Sequence, residues 1–173
     1  SVNSRHVRVR GCFVRNHDDS IVAKATQPEP PCEDILVEDC QAWADWGYAF
    51  GATYETRAPI RRVTFRRCSV LFAHHWCMGI RVSDSATVSD LRFEQIRIGR
   101  LVRPPAPGSA YAALARRPCL ANFTIAKDVW GKDPEAGNIR DIVLDDILLY
   151  TPEMLPSTLS GFDAEHRIEG VTF

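Results

Sequence analysis

Apolar and polar residues alternate along this chain in short bursts, and the bursts recur. Val7 and Val9 stand in the same frame as Ile35 and Val37, and then as Val63 and Phe65, each pair 28 residues beyond the last. Cys12, Cys40 and Cys68 close the three bursts at the same interval. A fourth burst reads Leu91, Phe93 and Ile96, with isoleucine in place of cysteine. A fifth, 51 residues on, reads Ile142, Leu144 and Ile147, and a sixth opens at Val171 and Phe173. Alternation with a period of two predicts a strand with one buried face, and a strand that returns at a fixed interval predicts a solenoid of stacked passes. The expected fold is all-β, a right-handed parallel β-helix of about five to six coils.

The outward positions carry the same frame. Arg10, Glu38, Arg66, Glu94 and Asp145 occupy one column, and stacked strands lie about 4.8 Å apart. The first four would form a ladder of alternating charge, which is mildly stabilising across a strand pair. Second strands are expected at Ile21–Ala25 and around Asn122–Ala126. The fourth coil carries an insertion of 23 residues, at about 99–137, with a Pro-rich start at Arg103–Gly108 and a short helical stretch near Ser109–Arg117. No domain boundary interrupts the chain, so residues 1–173 read as a single β-helix domain. Both ends break into a coil, as a piece of a longer solenoid would, and self-association through the exposed ends is expected.

Composition narrows the partners. At 173 residues the chain can bury a core, and its net charge of −1 gives no basic footprint for nucleic acid. No apolar run reaches the length of a membrane span. Cys12, Cys40 and Cys68 read as inward, free thiols of the core. Cys32, Cys77 and Cys119 fall outside that column, and the sequence leaves their pairing open.

The loops after the first strands fall at one point in the frame, where Asp18, Trp46 and His74 are 28 residues apart. Asp18 and Asp19 are the candidate catalytic pair. Adjacent carboxylates that share a partly dry site separate in pKa, which lets one act as acid and the other as base. The same stretch, Asn16–Ser20, also reads as an ordinary polar turn. Trp43, Trp46, Tyr48 and Trp76 supply flat amphipathic rings suited to sugar faces, and solenoid cores bury such rings too. His17, His74 and His75 with Asp45 match no metal-ligand spacing, so neither metal nor cofactor is expected.

With these residues in hand, the stretch from Ser4 to Gly99 resembles the middle coils of family 28 glycoside hydrolases, the polygalacturonases and their relatives. VRVRGCFVRNHDDSIVAKA, at Val7–Ala25, is similar to that family's strand, Asp-Asp motif and downstream lysine, here Asp18, Asp19 and Lys24. Gly47-Tyr48-Ala49 stands where the family has Gly-His-Gly. Gly79-Ile80-Arg81-Val82-Ser83 stands where it has Gly-Ile-Arg-Ile-Lys. The tail, from Leu155 to Phe173, resembles late coils of bacterial members. The resemblance implies a pectin-lyase-like fold and inverting hydrolysis of a polysaccharide or oligosaccharide. It puts Asp18 at the general acid, Asp19 at a water-activating carboxylate and Arg81 at a substrate-binding position, and together with the shared frame it sets Lys24, Asp45, Trp46, Tyr48 and His75 around the sugar. It also suggests a secreted or periplasmic protein. Three departures stand out. Tyr48 replaces the family histidine, Ser83 replaces a lysine that pairs with the galacturonate carboxylate, and the family's Asn-x-Asp motif would precede Ser1. Loss of the lysine points to a neutral or differently charged sugar. The alternative reading is a non-catalytic, glycan-binding or self-assembling β-helix module. A lyase on this fold would want a metal or basic cluster that the sequence lacks.

Overall fold

A computed structural model describes residues 2–99, 119–150 and 155–173. Among them every element is a strand, and every strand pairing is parallel. The first 28-residue unit contributes β1 (Arg5–Arg10), β2 (Phe13–Asn16) and β3 (Ile21–Ala25). The second contributes β4 (Cys32–Glu38), β5 (Gln41–Ala44) and β6 (Tyr48–Thr56). The third contributes β7 (Ile60–Arg66), β8 (Ser69–Ala73) and β9 (Trp76–Val82). Then follow β10 (Thr87–Ile98), β11 (Cys119–Ile125), β12 (Asn138–Leu149), β13 (Ser157–Ser160) and β14 (Ile168–Thr172). A nine-stranded sheet holds β1, β4, β7, β10, β12 and β14, and wraps through the far end of β10 onto β8, β5 and β2. A five-stranded sheet, in the order β13-β11-β9-β6-β3, faces it.

The pairing follows the frame of the apolar bursts. Val7 lies opposite Ile35, Ile35 opposite Val63, Val63 opposite Leu91 and Leu91 opposite Ile142. Ile142 in turn faces Val171, whereas Phe173, beyond β14, is 73% exposed. The 51-residue interval therefore inserts chain between passes without moving the register. The outward column also pairs as expected, Arg10 with Glu38, Glu38 with Arg66 and Arg66 with Glu94. Its last step sets Glu94 beside Asp145, two like charges, and Glu94 takes its ion pair from Arg92 instead, at 2.6 Å.

One feature of the first face is invisible in the burst pattern. His6, Asp34, Arg62, Asp90 and Asp141 all have φ between 53° and 57°, and Gly11, Asp39, Arg67, Gln95 and Asp146 fall between 51° and 64°. These left-handed residues are left out of the pairing at the same height on both partners, so the register holds and the bends align into two columns. A left-handed residue within an extended segment resets which side chain points inward. That is why the buried positions run Val63, Phe65, Cys68, Val70, with a step of three where Arg67 intervenes. Asp tolerates the left-handed region better than most residues, whereas a long side chain there costs about 1 kcal/mol. Arg62 and Arg67 offset that cost in the same way. Each clamps the aspartate one pass back, Asp34 at 2.6 and 3.2 Å and Asp39 at 2.8 and 3.0 Å.

The core is a continuous column. Phe65 and Phe93 stack at 5.2 Å with ring planes 8° apart, and Phe50 and Phe123 extend the stack on either side. Cys40 and Cys68 are buried free thiols, and the pKa of Cys68 is pushed up to about 11 by burial. Each donates to a carbonyl of the preceding pass, Cys40 to Val9 at 3.7 Å and Cys68 to Val37 at 3.6 Å. Cys12 departs from the expectation of an inward, covered thiol, because it is solvent-exposed. It sits in the outermost described layer, where no strand stacks over it. Cys32, Cys77 and Cys119 form no disulfide, which answers the pairing left open by the sequence. The expected helical stretch near Ser109–Arg117 lies outside the described residues. The strand expected around Asn122–Ala126 is β11, which begins at Cys119.

Candidate functional site

The corner loops that lead into the five-stranded sheet stack as their shared frame demands. Asp45 N–H donates to the Asn16 carbonyl and His74 N–H to that of Ala44, both at 3.0 Å. The rings of Trp46 and His74 stack at 5.0 Å, and His75 meets Trp46 edge-on at 4.2 Å. On the outer face of the sheet these loops open a cavity of about 500 Å³, lined by Asp18, Asp19, Lys24, Trp46, Tyr54 and Arg81, with His17, Gly47, Glu55, His75, Trp76 and Trp130 completing it.

The Asp-Asp turn is wired rather than loose. Asn16 donates to the Asp19 carbonyl, and Ser20 donates to the Asn16 side chain, both at 2.8 Å. The next pass must come very close to this turn. A side chain at Gly47, where φ is +75°, would put a Cβ 2.7 Å from both the Asp19 nitrogen and its Oδ1. Glycine is required there for shape and for backbone angle. Asp19 is held from three sides. Its Oδ1 accepts from the Tyr48 N–H at 2.9 Å, its Oδ2 accepts from the Thr53 hydroxyl at 2.8 Å, and Lys24 stands 3.5 Å away. Asp18 turns differently: its Oδ1 accepts from the Asp19 N–H at 2.7 Å, and no described cation pairs with it.

Both cations of the cavity have carboxylate partners. Lys24 binds Glu55 at 2.7 Å as well as approaching Asp19. Arg81 binds Asp128 at 2.9 Å, and Ser83 donates to the same oxygen at 2.7 Å. Burial alone would raise the Asp128 carboxyl, but the bonds from Ser83, Arg81 and the Trp130 N–H outweigh it and hold its pKa below the usual carboxylate range. Tyr54 lies within 5.4 Å of both Lys24 and Arg81, so its ring faces two cations. Burial raises the Tyr54 pKa despite Arg81, which keeps the phenol protonated.

Asp128 and Trp130 belong to the loop between β11 and β12, and buried polar bonds hold this loop to the sheet. The carboxylate of Asp84 is fully buried and accepts from the backbone N–H groups of Thr56, Lys132 and Asp133. The Lys127 ammonium donates to the carbonyls of Ser83, Asp133 and Glu135. Gly131 packs so closely on Ser83 that a Cβ would sit 2.3 Å from its carbonyl oxygen. The loop thus presents Trp130, 59% exposed, at the rim of the cavity.

Of the residues picked out from sequence, Asp18, Asp19, Lys24, Trp46, His75 and Arg81 come together here. Asp45 and Tyr48 do not line the cavity. Asp45 turns to the neighbouring face, where Arg15 and the Trp43 indole bind it at 3.0 Å and Trp43 stacks on Phe72. Tyr48 is fully buried, stacked on Trp76 at 4.4 Å, with its hydroxyl donating to the Asn122 side chain at 2.8 Å. Burial, with Tyr54 nearby, pushes its pKa well up. Its ring lies on Gly79, where any Cβ would fall 1.9 Å from ring carbons, so Tyr48 and Gly79 form a fitted pair. Trp76, one of the rings read as suited to a sugar face, also lines the cavity, whereas Tyr54, Glu55, Asp128 and Trp130 enter the site without having been singled out for it. Only the in-register pairing of the neighbouring Thr53 with Arg81 could have flagged the first two. Among the described residues no group of three or more His, Cys, Asp or Glu side chains gathers to hold a metal ion. Compared with known proteins, the chain matches no family model, no curated protein and no solved structure.

Proposed function

We propose that the chain is a right-handed parallel β-helix of the pectin-lyase-like kind, of about five to six coils, and that it acts on a polysaccharide as a glycoside hydrolase similar to family 28. The observation that supports this reading is the meeting, in one open cavity, of the Asp18–Asp19 turn with Lys24, Arg81 and the rings of Trp46, Trp76 and Trp130. Aromatic faces suit the apolar faces of sugar rings, and a few convergent polar groups fix orientation. In an inverting mechanism Asp18 would protonate the glycosidic oxygen while Asp19 takes a proton from the attacking water.

A panel of plant and microbial polysaccharides, assayed for new reducing ends, tests the proposal. Cleavage of one of them is expected, and Asp18→Asn should abolish turnover while leaving binding of the same glycan intact. Turnover unchanged in Asp18→Asn would remove Asp18 from the mechanism. One observation favours a second reading, glycan binding without cleavage. Both Asp19 oxygens already accept hydrogen bonds within the protein, which leaves less of that carboxylate for a water. Binding without any release of reducing ends would decide for it.

A further inference from the structure

The charges around the cavity do not cancel, and the imbalance has a sign. Two cations, Lys24 and Arg81, face four carboxylates, Asp18, Asp19, Glu55 and Asp128. Lys24 is already in contact with Glu55 and close to Asp19, and Arg81 is in contact with Asp128. Neither ammonium nor guanidinium is therefore available to an incoming anion without breaking an existing pair. Asp18 is the carboxylate left over, since its contact is the neutral Asp19 N–H. The rings of Trp46, Tyr54, Trp76 and Trp130 also line the cavity, and aromatic rings attract cations through their quadrupoles. His17 and His75 also line the cavity and would add positive charge only when protonated.

We infer that the cavity takes a sugar bearing a protonated amine, a hexosamine unit of a glycan, with the ring against the tryptophans and the ammonium at Asp18. This rests on the second, binding reading above and sharpens it, since a carboxylate paired with an ammonium has no proton to give a glycosidic oxygen. A uronate carboxylate would meet a site with surplus negative charge and no spare cation, and an N-acetylated sugar would leave Asp18 without its ionic partner. A charge-assisted hydrogen bond to a carboxylate is the contact that separates the amine from its amide.

The test is a calorimetric titration of the whole chain with three sets of oligosaccharides: glucosamine oligomers, their N-acetylated counterparts and oligogalacturonates. It is run at about pH 6, where carboxylates are ionised and most of the sugar amine carries its proton. The expected result is binding of the amine oligomers about tenfold or more tighter than the acetylated ones, with a margin that shrinks in high salt and disappears in Asp18→Asn. A thermal melt confirms that Asp18→Asn folds. Equal or tighter binding of acetylated oligomers or of oligogalacturonates overturns the amine inference while leaving the glycan reading in place. No binding by any of the three, nor by the polysaccharide panel, overturns both.

Discussion

Gly47 shows how much of this site depends on an atom that is absent. The second pass clears the Asp18–Asp19 turn only because position 47 has no Cβ, and its φ of +75° favours glycine. Gly47→Ala is expected to cost about 1–3 kcal/mol in stability and to weaken glycan binding with it, since the turn must move away. Chemical denaturation and titration of the variant check this, and an unchanged midpoint would mean the turn relaxes at no cost. Trp130 tests the opposite wall. Trp130→Ala removes an exposed ring from the rim without touching the core, so it should lower affinity by a factor of several, for about 1 kcal/mol, and leave the melting temperature unchanged. The thiols offer a third check at this scale. Under native conditions Cys12 should react with a thiol reagent quickly, and Cys40, Cys68 and Cys77 slowly, because only the first of these is exposed. All six should react once the chain is denatured, as none is in a disulfide.

Among the elements, the first face carries the clearest pH signature. Glu33, Asp34, Glu38 and Asp39 all have lowered pKa values, chiefly through hydrogen bonds from Arg61, Arg62, Arg66 and Arg67. A carboxyl depressed in the folded state stabilises the fold fully above its unfolded value, about 4, and that contribution is lost as pH falls through the lower, folded value. The urea midpoint should therefore hold steady down to about pH 4 and fall below it, with a shallower fall in high salt because these groups face solvent. A midpoint already falling between about pH 6 and 5 would point to histidines instead. The strands of this face are legible in the sequence through Val63, Phe65 and their equivalents, because burial imposes alternation. The left-handed bends are not legible: Asp34, Asp90 and Asp141 in one column and Gly11, Asp39 and Asp146 in the other tolerate such a backbone, but His6, Arg62, Arg67 and Gln95 interrupt both columns. The site is legible in the same uneven way. Asp18, Asp19, Trp46 and Arg81 share a frame, and the frame puts them on one side. Asp128 and Trp130 lie within the insertion, outside any repeat of the pattern, and only the folded path of the chain brings them back to Arg81. Asp45 and Tyr48 share the frame too, yet one turns to the next face and the other is buried, since frame position fixes height and side but not the direction of a corner side chain.

At the scale of the whole molecule, the passes rest on one another through a single apolar column. Phe93 stands in the middle of it between Phe65 and Phe123. Phe93→Ala should cost about 3–5 kcal/mol, measured by denaturant unfolding, and a cost below about 1 kcal/mol would show that neighbouring passes close over the gap. The repeat itself can be tested by removal. A chain lacking residues 35–62 joins Asp34 to Val63 and keeps every remaining side chain on its own face. It should fold into parallel sheets with a lower melting temperature, whereas removing one residue fewer turns the following strand inside out. Circular dichroism and melting of the pair separate the two outcomes. The cavity has a different relation to the same architecture. Its rim is assembled from four successive stretches: Asp18 to Lys24, Trp46 to Glu55, His75 to Arg81, and the loop of Trp130. Each stretch rides on its own rung and is spliced to the others only through the stack. A lineage built this way can retune what it grips by editing one rung at a time, as a locksmith recuts a single notch of a key while the shank stays whole.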